Sequence, residues 1–185
     1  MRLRDQIAHA ELRGLYDWWE EKRRLGPVLR KDAQPEALRC WLPTMNLIDC
    51  LPDGRFRYRL TGTTFDRHLG RNLTGMLLDE ARSGSTLELL RTLLSSATAK
   101  DLPGYAVSRL SNEARSLATC HRIALPLHQT ADGPVTTILG AWYIEWHPGT
   151  PSGTMAFYQD GQPGMTETEE KIIFGTLTPT AQDDG

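Results

Sequence analysis

The order of patterned segments predicts an α+β fold: one antiparallel sheet of about five strands, helices gathered on one face, and an extra helix at the N-terminus. Three observations carry this prediction. The run Phe56-Arg57-Tyr58-Arg59-Leu60-Thr61 alternates apolar and basic residues and stops at Gly62, which is the pattern of a half-buried strand. Leu87, Leu90, Leu94 and Ala97 recur at helical spacing behind the capping pattern Ser85-Thr86-Leu87-Glu88. Val135 to Trp146 is apolar on both faces, with Ile138, Trp142, Ile144 and Trp146 on one side and Val135, Leu139, Ala141 and Tyr143 on the other. Such a strand is covered on both sides.

The remaining elements follow along the chain. Residues 4–25 read as a helix through Ala8, Leu12, Leu15 and Trp19, with Lys22, Arg23 and Arg24 suited to its C-terminal dipole and Gly26-Pro27 ending it. Its apolar stripe needs cover from the sheet or from a second copy. Pro35 to Leu38 opens a short helical turn. Met45–Leu51 and Arg55–Thr61 form a hairpin around Pro52-Asp53-Gly54. Within it Phe56, Tyr58 and Leu60 share one face, and Arg55, Arg57 and Arg59 the other. Thr63 to Gly70 is a short helix with Thr63 as N-cap. Strands follow at Tyr105–Leu110, Leu117–Leu127 and Val135–Trp146. Beyond His147 the chain turns polar and rich in Pro and Gly, and Thr166 to Phe174 reads as a short, marginal helix. Residues 1–28 are therefore an N-terminal helix packing on the sheet or a dimer partner, 29–147 the central domain, and 148–185 a tail, partly flexible.

Composition excludes several classes. The 185 residues carry a formal net charge of −2, so no global basic field favours nucleic acid or an anionic membrane. No apolar stretch is long enough to span a bilayer, and the N-terminal run lacks the apolar segment of a signal peptide, so the expected location is cytoplasmic. Cys40, Cys50 and Cys120 lack metal-ligand spacing and read as reduced, mostly buried thiols. Nucleophile-elbow, P-loop, zinc-protease and dinucleotide motifs are missing, so no metal site, catalytic residue or enzyme activity is assigned.

Arg30-x-Asp32-x-x-Pro35, Leu42-Pro43, Phe56 to Thr63, Leu69-Gly70-Arg71-Asn72-Leu73-Thr74-Gly75 and Arg122-Ile123-Ala124-Leu125-Pro126-Leu127 occur in an order that resembles the PAS domain. More narrowly, they resemble a bacterial group of small, stand-alone PAS-like proteins. The resemblance covers roughly residues 10 to 146. It implies a sensory or protein-interaction module without catalysis, holding a small molecule between sheet and helices. The molecule is not specified, because the fold hosts haem, flavin, metabolites or nothing. The flavin-reactive Asn-Cys-Arg-Phe-Leu run is absent.

On this basis Phe56, Tyr58, Arg59, Phe65, His121 and Ile123 are candidate ligand contacts. His121 shares a strand face with Ile123, Leu125 and Leu127 and is expected either to enter the cavity or to be a buried neutral histidine. Arg59 or Arg122 is suited to clamp an anion, while His68 is expected to be exposed rather than a haem ligand. Trp18, Trp19, Trp142 and Trp146 are expected interface anchors, and Glu at Trp142 or Trp146 should convert a homodimer to monomer. Expected partners are thus a small-molecule ligand, a second copy and a signalling protein, with no nucleic acid and no membrane. Two alternatives stay open: a ligand-free interaction adaptor, and a small α+β enzyme with an aromatic-lined pocket.

Overall fold

Every strand pairs antiparallel with its neighbours, in a six-stranded sheet of order β2-β1-β5-β4-β3-β6. The strands are β1 (Met45–Cys50), β2 (Phe56–Thr61), β3 (Gly104–Asn112), β4 (Ser116–His128), β5 (Val135–Trp146) and β6 (Met165–Phe174). The computed structural model describes residues 2–150 and 165–176. The helices are α1 (Leu3–Gln6), α2 (Ala10–Arg23), α3 (Thr63–Leu69), α4 (Leu78–Ala81) and α5 (Gly84–Lys100).

The two faces of the sheet carry separate cores. Helices α3, α4 and α5 cover the inner face, where Phe65, Leu69, Leu89, Leu93 and Leu94 pack with Ile48, Tyr58, Ala106, Cys120, Ile138 and Trp142. Helix α2 covers the outer face, where Leu12, Leu15 and Trp19 pack with Leu125, Leu127 and Leu139. Both faces of β5 are thereby buried, as its composition requires. The N-terminal helix meets its need for cover on the sheet of its own chain. It is broken, however: α1 ends before Ile7, and Arg13 Nη1 donates to the carbonyls of Ile7 (2.8 Å) and Ala8 (3.0 Å).

Close approach explains the glycines that matter. A β-carbon on Gly62 would stand 2.3 Å from the Leu42 carbonyl oxygen and 2.4 Å from that of Pro43, so only glycine lets α3 start against that segment. Gly62, not Thr63, is the N-cap. Across the inner face, Asn46, Gly140, Ala124, Gly104 and Phe174 form one cross-strand row of mostly small residues. A β-carbon on Gly104 would meet Leu93 at 2.7 Å and Phe174 at 2.8 Å, so this row is what admits α5.

Three expectations are corrected. A β-bulge between Leu47 and Ile48 pairs Ile48 with Tyr58 but Leu47 with Leu60, so Leu60 leaves the face of Phe56 and Tyr58 and is 40 % exposed. The segment Thr166 to Phe174, expected as a helix inside a tail, is strand β6, the sixth strand added to the expected five. Its backbone pairs with β3, and the Ser85 and Thr86 hydroxyls donate to Glu167 O and Oε2 (both 2.5 Å) instead of capping α5. The rest of the expected tail, 151–164 and 177–185, lies outside the described residues.

Candidate ligand cavity

Strand alternation decides where each candidate contact goes. Phe56 and Tyr58 from β2, and Phe65 from α3, converge on the inner face. There a partly enclosed cavity of about 30 Å³ is bounded by Asn46, Tyr58, Phe65, Arg82, Arg122 and Trp142. Trp142 forms part of its wall. Phe65 meets its ring edge-on at a centroid distance of 5.1 Å, and the guanidinium groups of Arg82 and Arg122 lie 5.9 and 5.4 Å from its ring centre. Cations over an indole face are attracted by the ring quadrupole. Arg82 Nε also donates to the Tyr58 hydroxyl at 3.4 Å.

Two polar atoms at this cavity, Asn46 Oδ1 and Trp142 Nε1, are buried with no hydrogen-bond partner. Asn46 lies against Gly140, where any β-carbon would sit 2.4 Å from Oδ1. The opposite wall is a buried ionic network. Arg122 Nη2 pairs with Glu167 Oε1 at 2.6 Å, Arg122 Nη1 donates to Ser108 Oγ at 2.6 Å, and Ser108 Oγ donates on to Glu167. Burial alone would raise the Glu167 carboxyl, but the Arg122 guanidinium and the Ser108 and Thr86 hydroxyls hold it below its usual range. The last strand therefore supplies a counter-ion to an arginine of the cavity wall.

The other candidates lie elsewhere. His121 alternates with Cys120 on β4; Cys120 joins the inner core, so His121 faces outward beneath the N-terminal segment. Of the two positions expected for it, the cavity is excluded. Its Nδ1 shares a 2.7 Å hydrogen bond with the Tyr105 hydroxyl, and Nε2 is 3.3 Å from Glu145. Ile123 packs in the outer core while also bordering the cavity. Arg59 is exposed on the outer face, 3.5 Å from Asp49. His68, expected exposed, is half-buried and edge-on to Trp142. Cys40 is exposed, against the expectation of mostly buried thiols, whereas Cys120 is buried and its thiol pushed up to about 11 by that burial.

The tryptophans divide likewise. Trp19 is 2 % exposed, with Nε1 donating to Pro126 O at 2.9 Å, and Trp142 is 6 % exposed. Both are core residues of one chain and leave no surface for an interface. Trp18 and Trp146 are half-buried at the margins of the outer and inner cores. Sequence reasoning did not single out Asn46, Arg82 or Glu167 as site residues.

A family model described as a PAS domain matches residues 7–143, well over half of the chain. The chain belongs to the PAS domain family. PAS domains are sensory or regulatory modules, and the two-faced antiparallel sheet with helices over the cavity is their architecture. No curated protein and no solved structure matches the chain. Among the described residues no helix is long and apolar enough to cross a membrane, and no cluster of three His, Cys, Asp or Glu could hold a metal ion.

Acid is expected to weaken this PAS domain. His9 stacks on Tyr143 at 4.1 Å, and burial lowers its pKa from the ordinary 6.5; burial and then Arg67 lower that of His68. Both imidazoles are thus better neutral in the fold than in the unfolded chain. Their contribution is complete above 6.5 and is lost as pH falls from there through the folded-state values. Urea unfolding should show lower stability at about pH 5.5 than at about pH 7.5, with a smaller difference in His9→Asn. An equal difference in that variant would remove His9 from the explanation.

Proposed function

We propose that this PAS domain is a non-catalytic sensory module. A small polar ligand at the inner cavity, or a protein partner, shifts its conformational balance. The signal then leaves through a partner or a change of assembly, including a homodimer, in a cytoplasmic setting. The observation that carries this reading is the pair of buried polar atoms, Asn46 Oδ1 and Trp142 Nε1, left without partners beside Arg82 and Arg122. Each such atom costs about 1–3 kcal/mol, a cost that a water or ligand group would offset. A space of about 30 Å³ admits one or two waters; a larger ligand needs α3 or α4 to move. Neither haem nor flavin fits without displacing Phe65, Arg82 or Trp142, so the cofactors the family hosts are disfavoured here. Tyr58, Phe65 and Ile123 remain in the proposed ligand site, joined by Asn46, Arg82 and Trp142, while Phe56 packs in the inner core without lining the cavity.

A non-catalytic role accords with the commitments of the nearest carboxylates. Asp66 accepts from Thr61 and Asn72, both at 2.5 Å, and Glu167 is held by Arg122. The small cavity also favours a second reading, the ligand-free interaction adaptor. Native mass spectrometry of the full chain separates the two. A polypeptide retaining one small molecule, lost in Arg82→Gln, is the expected result. A bare polypeptide mass would overturn the ligand reading and leave the adaptor.

A further inference from the structure

We infer that the outer face carries a second site, at the β1–β2 edge of the sheet, that binds a small oxyanion. It is a groove of about 240 Å³ lined chiefly by Arg30, Asp49, Arg57, Arg59, Thr136 and Thr137. It lies across the sheet from the inner cavity and shares no wall with it.

Backbone geometry assembles the groove. Arg57, Asp49 and Thr137 are direct cross-strand neighbours on β2, β1 and β5. The bulge that turns Leu60 outward lies at Arg59 and brings it to the same carboxylate as Arg57. Bulges commonly re-aim side chains beside functional sites. Asp49 Oδ2 is 3.1 Å from Arg57 and 3.5 Å from Arg59, so one anion orders two guanidinium groups. Arg30 comes from the other side, on a 3-10 turn (Arg30–Asp32) fixed where Leu29 N donates to Asp32 Oδ2 at 2.8 Å. His128 N donates to Val28 O at 2.8 Å, which ties that turn to the end of β4.

Charge and donors are both in surplus. Three arginines face one aspartate, which leaves two positive charges uncompensated. Burial, and then the charge of Arg59, lower the Arg30 pKa, with Asp49 opposing them. Arginines on an open surface would need no counter-ion, because water solvates them, and the 46 % and 58 % exposure of Arg57 and Arg59 suits that view. Two atoms do not. Arg30 Nε and Thr136 Oγ1 are buried and lack a hydrogen-bond partner. Both can donate, Arg30 Nε to an anion once this half-buried side chain turns toward the groove. A phosphate monoester or a dicarboxylate supplies what is missing: two negative charges, and acceptor oxygens in the planar spacing that guanidinium groups match in pairs. Bound there, it would tie the segment that follows α2 to the β1–β2 hairpin.

The test is calorimetric titration and thermal unfolding of the full chain with inorganic phosphate and, separately, succinate, against chloride at equal ionic strength. Saturable binding of either dianion, with a matching rise in unfolding temperature, is expected. Phosphate alone would assign a phosphorylated ligand, and succinate alone a dicarboxylate. Arg30→Gln combined with Arg59→Gln should weaken binding at least about tenfold, the scale of losing charge-assisted hydrogen bonds. Arg59→Gln alone, at a mostly exposed side chain, serves as the variant whose folding is not at issue. Arg55→Gln, whose side chain pairs with Asp53 on the turn, should bind like the parent. Absence of saturable binding beyond chloride, or an equal loss in Arg55→Gln, overturns the site. Either result leaves the inner-cavity reading untouched.

Discussion

Glu167→Ala is expected to destabilise the protein by about 3–5 kcal/mol, the scale for removing one member of a buried ion pair. Glu167 is 3 % exposed and Arg122 7 % exposed, and the substitution leaves the guanidinium buried without that carboxylate. Ser108 and Thr86 lose their acceptor as well, and the tie from β6 to the start of α5 weakens. The effect should reach the backbone, because among the described residues β6 is an edge strand paired with β3 alone. Urea unfolding followed by circular dichroism measures the loss. Replacing both charges with apolar groups, Arg122→Met with Glu167→Leu, should cost less than the sum of the two alanine variants, since no lone charge is stranded. A loss below about 1 kcal/mol in Glu167→Ala would mean that the last strand contributes nothing to the fold through this carboxylate.

Trp142→Ala is expected to cost about 3–5 kcal/mol, as large-to-small changes of buried aromatics do. The indole is the central filler of the inner face, touched by Phe65 and His68 and flanked by Arg82 and Arg122. Removing it loses transfer energy and cation–π contacts together and enlarges the cavity beside two guanidinium groups. Trp142→Glu, expected from sequence to give a folded monomer, should instead unfold the domain, since it buries a carboxylate in the inner core. Size-exclusion chromatography with near-ultraviolet circular dichroism distinguishes a folded monomer from an expanded chain. A folded Trp142→Glu protein of native compactness would contradict the burial of this residue.

Much of the architecture was legible because it rests on local patterns. The Pro52-Asp53-Gly54 turn appears where its chemistry placed it, with Gly54 at φ 82° and Leu51 N bonded to Arg55 O at 2.8 Å. Strand β5 coincides with its expected bounds, and its two apolar faces foretold two layers of cover. Strand β6 was misread because Thr166 to Phe174 places polar and charged residues at nearly every early position. Its strand character comes from pairing with β3 and from one inward Glu167 whose partners lie 59 and 81 residues away in sequence. Phe56, Tyr58 and Phe65 do converge, but Arg59 and His121 belong to the other face.

The sequence by itself determined the family, the α+β class, the two-sided burial of β5 and the helices that cover it, because hydrophobic period and turn chemistry act over a few residues. Tertiary structure alone decided what each face became. A single bulge near Arg59 turned Leu60 outward and grouped three arginines around Asp49. The parity of β4 sent His121 outward and Arg122 inward. A one-residue shift in pairing inverts every side chain beyond it, and pairing is set by partners far along the chain.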